Sequence, residues 1–200
     1  LRINSPALYR LSYRGIDRDY SLKSKICQIS PSSVLMGHHV FIRQETKQNA
    51  SDLTLIHRLK MKILLLDWSA AQIFAKPLRY RVFVVEQAVP EEMEWDEYDQ
   101  DAIHALALIN DQAVGTARLI LNDQKAKIGR MAVLEEQRSQ GIGSAMLDAL
   151  VQEARQQQIK LIELHAQVHA EQFYAKLGFV AAGEVFSEAG MDHIKMQKVL

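Results

Sequence analysis

Cysteine is nearly absent from this chain, Cys27 being the only one. An internal disulfide framework is thereby excluded, and a reducing compartment, the cytoplasm, is the natural setting. In that setting the sequon Asn49-Ala50-Ser51 carries no meaning. Long apolar runs are missing as well. None approaches the ~18 residues that a membrane span requires, although 48% of the residues are hydrophobic, which is ample for a core. After Met61-Lys62 the apolar run is only Ile63-Leu64-Leu65-Leu66 before Asp67, too short for a signal-peptide h-region. There is no zinc-ligand spacing, no Gly-x-Ser-x-Gly elbow and no cysteine beyond residue 27. Chemistry through a bound metal or a covalent intermediate is therefore not expected.

A formal net charge of zero hides an asymmetry. Residues 1–60 hold ten Lys/Arg against four Asp/Glu, and residues 61–200 hold fourteen against twenty. The first sixty residues show no sustained period, carry eight serines and are broken by turn formers such as Ser30-Pro31-Ser32-Ser33. The chain opens on Leu1, and its character changes at Met61. We expect Met61 to be the true initiator and residues 1–60 to be upstream sequence read in frame, the alternative being a real basic extension, poorly ordered by itself. A basic arm can bind nucleic acid, but the acidic remainder lacks an aromatic-basic pattern, so no nucleic-acid partner is expected. Residues 61–200 form the one expected domain.

Within that domain, Ser69 is placed to cap a helix over residues 70–76. Pro77 ends it, and residues 79–87 continue as a second helix with Leu78, Val82, Phe83 and Val85 inward. Residues 90–101 carry Glu91, Glu92, Glu94, Asp96, Glu97, Asp99 and Asp101, read for the most part as a solvated loop. Strands over 104–110, 113–121 and 125–134 follow, joined by Asn110-Asp111-Gln112 and Asn122-Asp123-Gln124, turn chemistry suited to antiparallel hairpins. A helix over 144–157 has Met146, Leu147, Leu150, Val151 and Ala154 on one face. Then come a strand over 160–165, a helix over 169–176 stopped by Gly178, and strands over 180–186 and 193–200. The expectation is an α+β domain: a mixed sheet of about seven strands, with helices on both faces.

The chain is organised around Arg138-Ser139-Gln140-Gly141-Ile142-Gly143, between a buried strand and a fresh helix. Unpaired N–H groups and the helix dipole make such a turn an anion site, and glycine lets the backbone approach a ligand closely. Three glycines in a βαβ context, or a closing Lys-Ser/Thr pair, would mark a dinucleotide fingerprint or a P-loop, and neither is present. A plain glycine-eased turn remains the other reading.

The spacing Arg-x-x-Gly-x-Gly resembles that of the GNAT superfamily of acyl-CoA-dependent N-acyltransferases, whose loop amides hold the CoA pyrophosphate. A second segment, from Gln167 through His169, Ala170, Phe173 and Tyr174 to Gly178-Phe179, resembles the family's Asn-x-x-Ala-x-x-Φ-Tyr-x-x-x-Gly-Phe, with Gln167 in place of Asn. The run from Arg81 to Pro90, with Glu94, Asp96 and His104, is similar to the ElaA-like and YjcF-like branch. So are His165-Ala166-Gln167 and the stretch from Glu188 to His193. The likeness spans residues 61–200 and touches nothing before them.

The resemblance implies a GNAT fold and an enzyme that moves an acetyl group from acetyl-CoA to a primary amine of a small molecule or peptide, without a membrane partner. A homodimer is left open. It implies CoA contacts from Arg138, Ser139, Gln140, Gly141, Ile142, Gly143, Ser144 and Gln167. It also implies a main-chain amide near Ala132 or Val133 for the thioester carbonyl. Tyr174 is the candidate acid toward the leaving thiolate, or else a packing tyrosine. An alkylammonium of pKa ~10.4 must lose a proton before it attacks, and Glu86, Glu94, His104, His165 and His193 are candidate bases. Glu86 and His193 rank ahead because their segments match the branch best. A longer acyl chain, an acyl-carrier donor and a non-catalytic CoA-binding module are the competing readings.

Overall fold

The computed structural model describes residues 61–200 and the backbone of Val40–Phe41. Cys27, the Asn49 sequon and the rest of the expected leader lie outside the described residues.

One mixed sheet organises the domain. Its strands are β1 (Val40–Phe41), β2 (Met61–Leu66), β3 (Ile103–Ile109), β4 (Gln112–Asn122), β5 (Lys125–Val133), β6 (Leu161–Gln167), β7 (Val180–Glu188) and β8 (Met191–Val199). Their spatial order is β1-β2-β3-β4-β5-β6-β8-β7. Residues 61–200 thus supply seven strands, as the patterning implied, and two residues from the preceding segment add an edge opposite Ile63 and Leu64. Every pairing is antiparallel except β5 with β6.

The connectors explain that topology. Asn110 and Asp111 both adopt positive φ (51° and 64°), and they join Ile109 to Gln112 in a two-residue hairpin. Asn and Asp tolerate that region, and its twist matches the flanking strands. The parallel pair needs a crossover, supplied by an α-helix over Ile142–Gln156. Its buried face includes Met146, Leu147, Leu150, Val151 and Ala154 and packs across β2, β3, β4 and β5.

The opposite face carries α1 (Trp68–Arg79), packed on β3 and β4. Cover on both faces buries nearly every residue of β3. Three expectations for this region are corrected. The cap is Asp67, whose Oδ1 accepts the Ala70 N–H at 2.9 Å while the Ser69 hydroxyl donates to it at 2.6 Å. Pro77 lies inside the helix instead of ending it. Its missing N–H removes the bond to the carbonyl four residues back, and from Tyr80 to Glu86 the chain widens into a π-helix. That change of period turns Val85, expected inward, out to solvent at 60% exposure. We number the remaining helices α2 (Glu91–Glu94), α3 (Ile142–Gln156) and α4 (Glu171–Lys176).

The sheet opens between its parallel strands. β5 and β6 are paired only from Lys125 opposite Leu161 to Ile128 opposite Leu164. Beyond that point β5 bulges: Arg130 has φ 50°, and the β4 register slips between Thr116 and Arg118. An extra residue bends a strand and increases its twist, so the strands part, and β6 continues against β8 alone.

Candidate active site

The gap between β5 and β6 exposes main-chain groups on one side of β5. Leu134 donates its N–H to Val114 of β4 at 3.0 Å. Alternation along a strand then turns the Ala132 amide toward β4, where Ala132 is paired with Thr116, and the Met131 and Val133 amides into the gap. Of the two amides named from the sequence, Ala132's is therefore directed away from the gap. Met131, which the sequence reading missed, joins Val133 in facing it. The Val133 carbonyl accepts Arg138 Nε at 3.1 Å.

Following β5, the glycine loop enters α3 through Ser139 (φ 63°) and Gly141 (φ 79°), a left-handed N-cap without a side-chain hydrogen bond. The amides of Ile142, Gly143 and Ser144 belong to the first helical turn, which has no intrahelical acceptors. Gly141 has open space where a Cβ would stand, so its requirement is conformational. Gly143 differs: a Cβ there would lie 3.3 Å from Met131 Cε and Phe173 Cζ. Gln140 is exposed and donates to Gln137 at 3.3 Å. Arg138 Nη2 reaches Glu86 at 2.6 Å, and Arg81 reaches Glu136 at 3.1 Å, so two exposed ion pairs join the π-helix to this loop.

Below the gap lies a cavity of about 600 Å³, walled by the π-helix, β4, β5, β6 and the β7–β8 hairpin. Tyr174, Gln167 and His193 line it together, whereas Glu86 and residues 138–144 do not. The Glu86 carboxylate is held by Arg138 outside the wall, which is not where an acceptor base would stand. Gln167 donates to Gln87 Oε1 at 3.0 Å and to Met191 Sδ at 3.4 Å. His193 Nδ1–H donates to the Met191 carbonyl at 2.9 Å, and its ring stacks on Phe186.

Tyr174 sits edge-on to Phe173 and Phe179, with its hydroxyl 3.6 Å from Met131 Sδ. Burial pushes its pKa up to about 12. The hydroxyl thus stays protonated near neutrality and keeps its proton to donate. Full transfer to a thiolate of pKa ~8.5 is uphill, so the tyrosine suits a hydrogen bond to developing charge at sulfur.

The acidic stretch is the largest departure from expectation. Glu91, Glu92, Glu97 and Asp101 are exposed, but Glu94 and Asp99 are 2% and 3% exposed. Arg79 bonds both, Arg118 bonds Asp96 and Asp99, and Arg130 bonds Glu94 and Asp96. Three cations thus meet three anions, and Glu94, Asp96, Arg118 and Arg130 of this network line the cavity while Arg79 and Asp99 do not. Burial still holds Glu94 above the ordinary carboxylate range despite Arg79 and Arg130. For Asp96 burial is the largest single influence and raises its pKa, but the Arg118 hydrogen bond and the charges of Arg118, Arg130 and Arg79 together outweigh it, and its carboxyl falls below that range. His104 is buried beside Trp68, donates Nε2–H to the Asp99 carbonyl, and has its pKa lowered mainly by burial. It belongs to this network and not to the cavity wall. The signal in the sequence was Arg118, the one charged residue of β4.

Comparison with known proteins agrees with this architecture. The family model described as "Acetyltransferase (GNAT) domain" matches residues 64–200. The chain is 33% identical over 138 residues to protein ElaA of Escherichia coli, covering 66% of this chain and 90% of ElaA. It is 35% identical over 122 residues to the uncharacterized N-acetyltransferase YjcF of Bacillus subtilis, covering 60% and 87%. The crystal structure of an acyl-CoA N-acyltransferase from Pseudomonas aeruginosa aligns at 29% identity and TM-score 0.63, over 69% of this chain and 99% of that one. The chain belongs to the GNAT acetyltransferase family and is an acyl-CoA-dependent N-acyltransferase.

Proposed function

We propose that the protein transfers an acetyl group from acetyl-CoA directly to a primary amine of a small molecule or peptide. The observation that carries this reading is the parting of β5 from β6, with an uncapped helix end above it and the cavity below. A donor laid in such a gap would have its pyrophosphate at residues 139–144 with Arg138 and its thioester beside the free β5 amides. The acceptor would then occupy the cavity. The Met131 and Val133 amides are fixed donors for negative charge developing on the thioester oxygen and pantetheine amide oxygens, which is where preorganised dipoles contribute most. Tyr174 donates a hydrogen bond to the leaving sulfur, and the proton acceptor is one of the cavity histidines. Gln167 shapes the acceptor wall through Gln87. In this reading the enzyme works in the cytoplasm.

The test is a panel of primary amines with acetyl-CoA, read by free-thiol release and repeated with longer acyl-CoA donors. Amine-dependent release that is fastest with acetyl-CoA supports the reading. A maximum with a longer chain would reassign the donor. Binding of acetyl-CoA without release to any amine would favour a CoA-binding module.

A further inference from the structure

An acceptor amine must lose a proton to attack, and the two cavity histidines are held differently. His165 is the first residue of β6 beyond its pairing with β5. It stands where the strands part, and with Glu163 and Gln167 it lines the cavity. Its Nδ1–H donates to Glu188 Oε2 at 2.8 Å, from β7, and the ring meets Phe186 edge-on at 4.9 Å. In the neutral imidazole that bond puts the proton on Nδ1 and leaves Nε2 with the lone pair.

Glu188 is anionic at neutral pH. Burial pushes its carboxyl up, but the His165 hydrogen bond and the charges of His165, His193 and Lys127 hold it below the ordinary range. Lys195, directly across β8 from His165, is bound to Glu163 at 2.8 Å. His193, by contrast, gives its Nδ1–H to a neutral carbonyl of its own hairpin. A positive charge formed on His165 gains a charged hydrogen bond, and one formed on His193 does not. A base oriented by a third group is the recurring arrangement of nucleophile activation.

The geometry points to His165 as the group that takes the proton from the acceptor amine, with Glu188 as the residue that orients it and stabilises its charged form. This rests on the acyl-transfer reading. The ammonium nitrogen gives one proton to His165 Nε2, and the lone pair so freed forms the N–C bond at the thioester carbon. The C–S bond breaks, the nitrogen's second proton ends on sulfur, and His165 returns its proton to solvent. The products are an amide, a free thiol and one proton.

The experiment compares the wild type, His165→Gln and Glu188→Gln in thiol release from acetyl-CoA across the neutral pH range. Each is assayed with basic primary amines and with hydroxylamine, which is already unprotonated there. His165→Gln should lose about 10²–10⁴-fold in kcat/KM with basic amines and clearly less with hydroxylamine. Glu188→Gln should lose about 10-fold or more and move the acidic limb of the profile to lower pH, because the charged imidazole loses its carboxylate. Calorimetric acetyl-CoA affinity should be unchanged in both variants, which establishes that they fold. Full turnover in His165→Gln, an equal loss with hydroxylamine, or an unmoved limb in Glu188→Gln overturns the assignment. A wild type that releases no thiol with any amine overturns the acyl-transfer reading, and this assignment with it.

Discussion

Glu86 meets Arg138 at 2.6 Å, joining the last residue of the π-helix to the arginine that opens the glycine loop. The two side chains are 32% and 39% exposed, so the pair contributes only about 0–1 kcal/mol to stability. Its consequence is competition: a phosphate at the loop must share Arg138 with Glu86. Glu86→Gln should therefore keep the melting temperature and tighten acetyl-CoA binding, whereas Arg138→Ala should weaken it in a salt-dependent way. A 10²-fold fall in kcat for Glu86→Gln, roughly a general-base contribution, would return Glu86 to the chemistry.

Gly143→Asp would bring a carboxylate to the first turn of α3 and a Cβ within 3.3 Å of Met131 and Phe173. Acetyl-CoA affinity should fall by at least ~2 kcal/mol, from lost charged hydrogen bonds and repulsion. Gly143→Ala carries the contact without the charge and should lose less. Equal losses in calorimetry would mean that packing, and not the anion, sets the effect.

Tyr174→Phe keeps the ring and removes the hydroxyl. Losing a hydrogen bond to the charge developing on sulfur should lower turnover by about 10–10²-fold with little change in the KM for acetyl-CoA; weaker binding with normal turnover would make the residue a packing tyrosine. Stability gives a second reading. The folded pKa, about 12, lies above the unfolded ~10. The unfolded chain therefore ionises first, and stability is full below pH ~10 and declines through pH ~12 by about 2–3 kcal/mol. Urea melts of Tyr174→Phe should lack that alkaline loss.

Asp99 is bonded by both Arg79 and Arg118, all three buried. Asp99→Ala leaves two buried guanidinium groups short of a partner. Equilibrium unfolding should show a loss of about 3–5 kcal/mol, the scale for breaking a buried ion pair from one side. A loss under about 1 kcal/mol, the size of an exposed pair, would show that water replaces the carboxylate.

A chain beginning at Met61 should keep the melting temperature and acetyl-CoA affinity of the full chain, since the family match starts at residue 64. What it gives up among the described residues is the two-residue edge β1. A drop of several degrees would make the preceding segment part of the domain.

What the sequence determined by itself was local. Asn110-Asp111 and Asn122-Asp123 read as hairpins because their side chains tolerate the backbone those turns need. The glycine turn and the apolar stripe of α3 read as strand, loop and helix because period and turn chemistry are carried by neighbours along the chain. Family spacing then named the fold. What only the tertiary structure decided was partnership. Glu94 and Asp99 looked like solvated acids, and three arginines on α1, β4 and β5 made them buried. Glu86 stood in the sequence as a candidate base without a visible partner, and the fold pairs it with Arg138, fifty-two positions away. His165 and Glu188, twenty-three positions apart, meet only because β8 lies between their strands. Hydrophobic period records which side of an element faces inward, but the partner of a charge is set by register and crossover between distant strands.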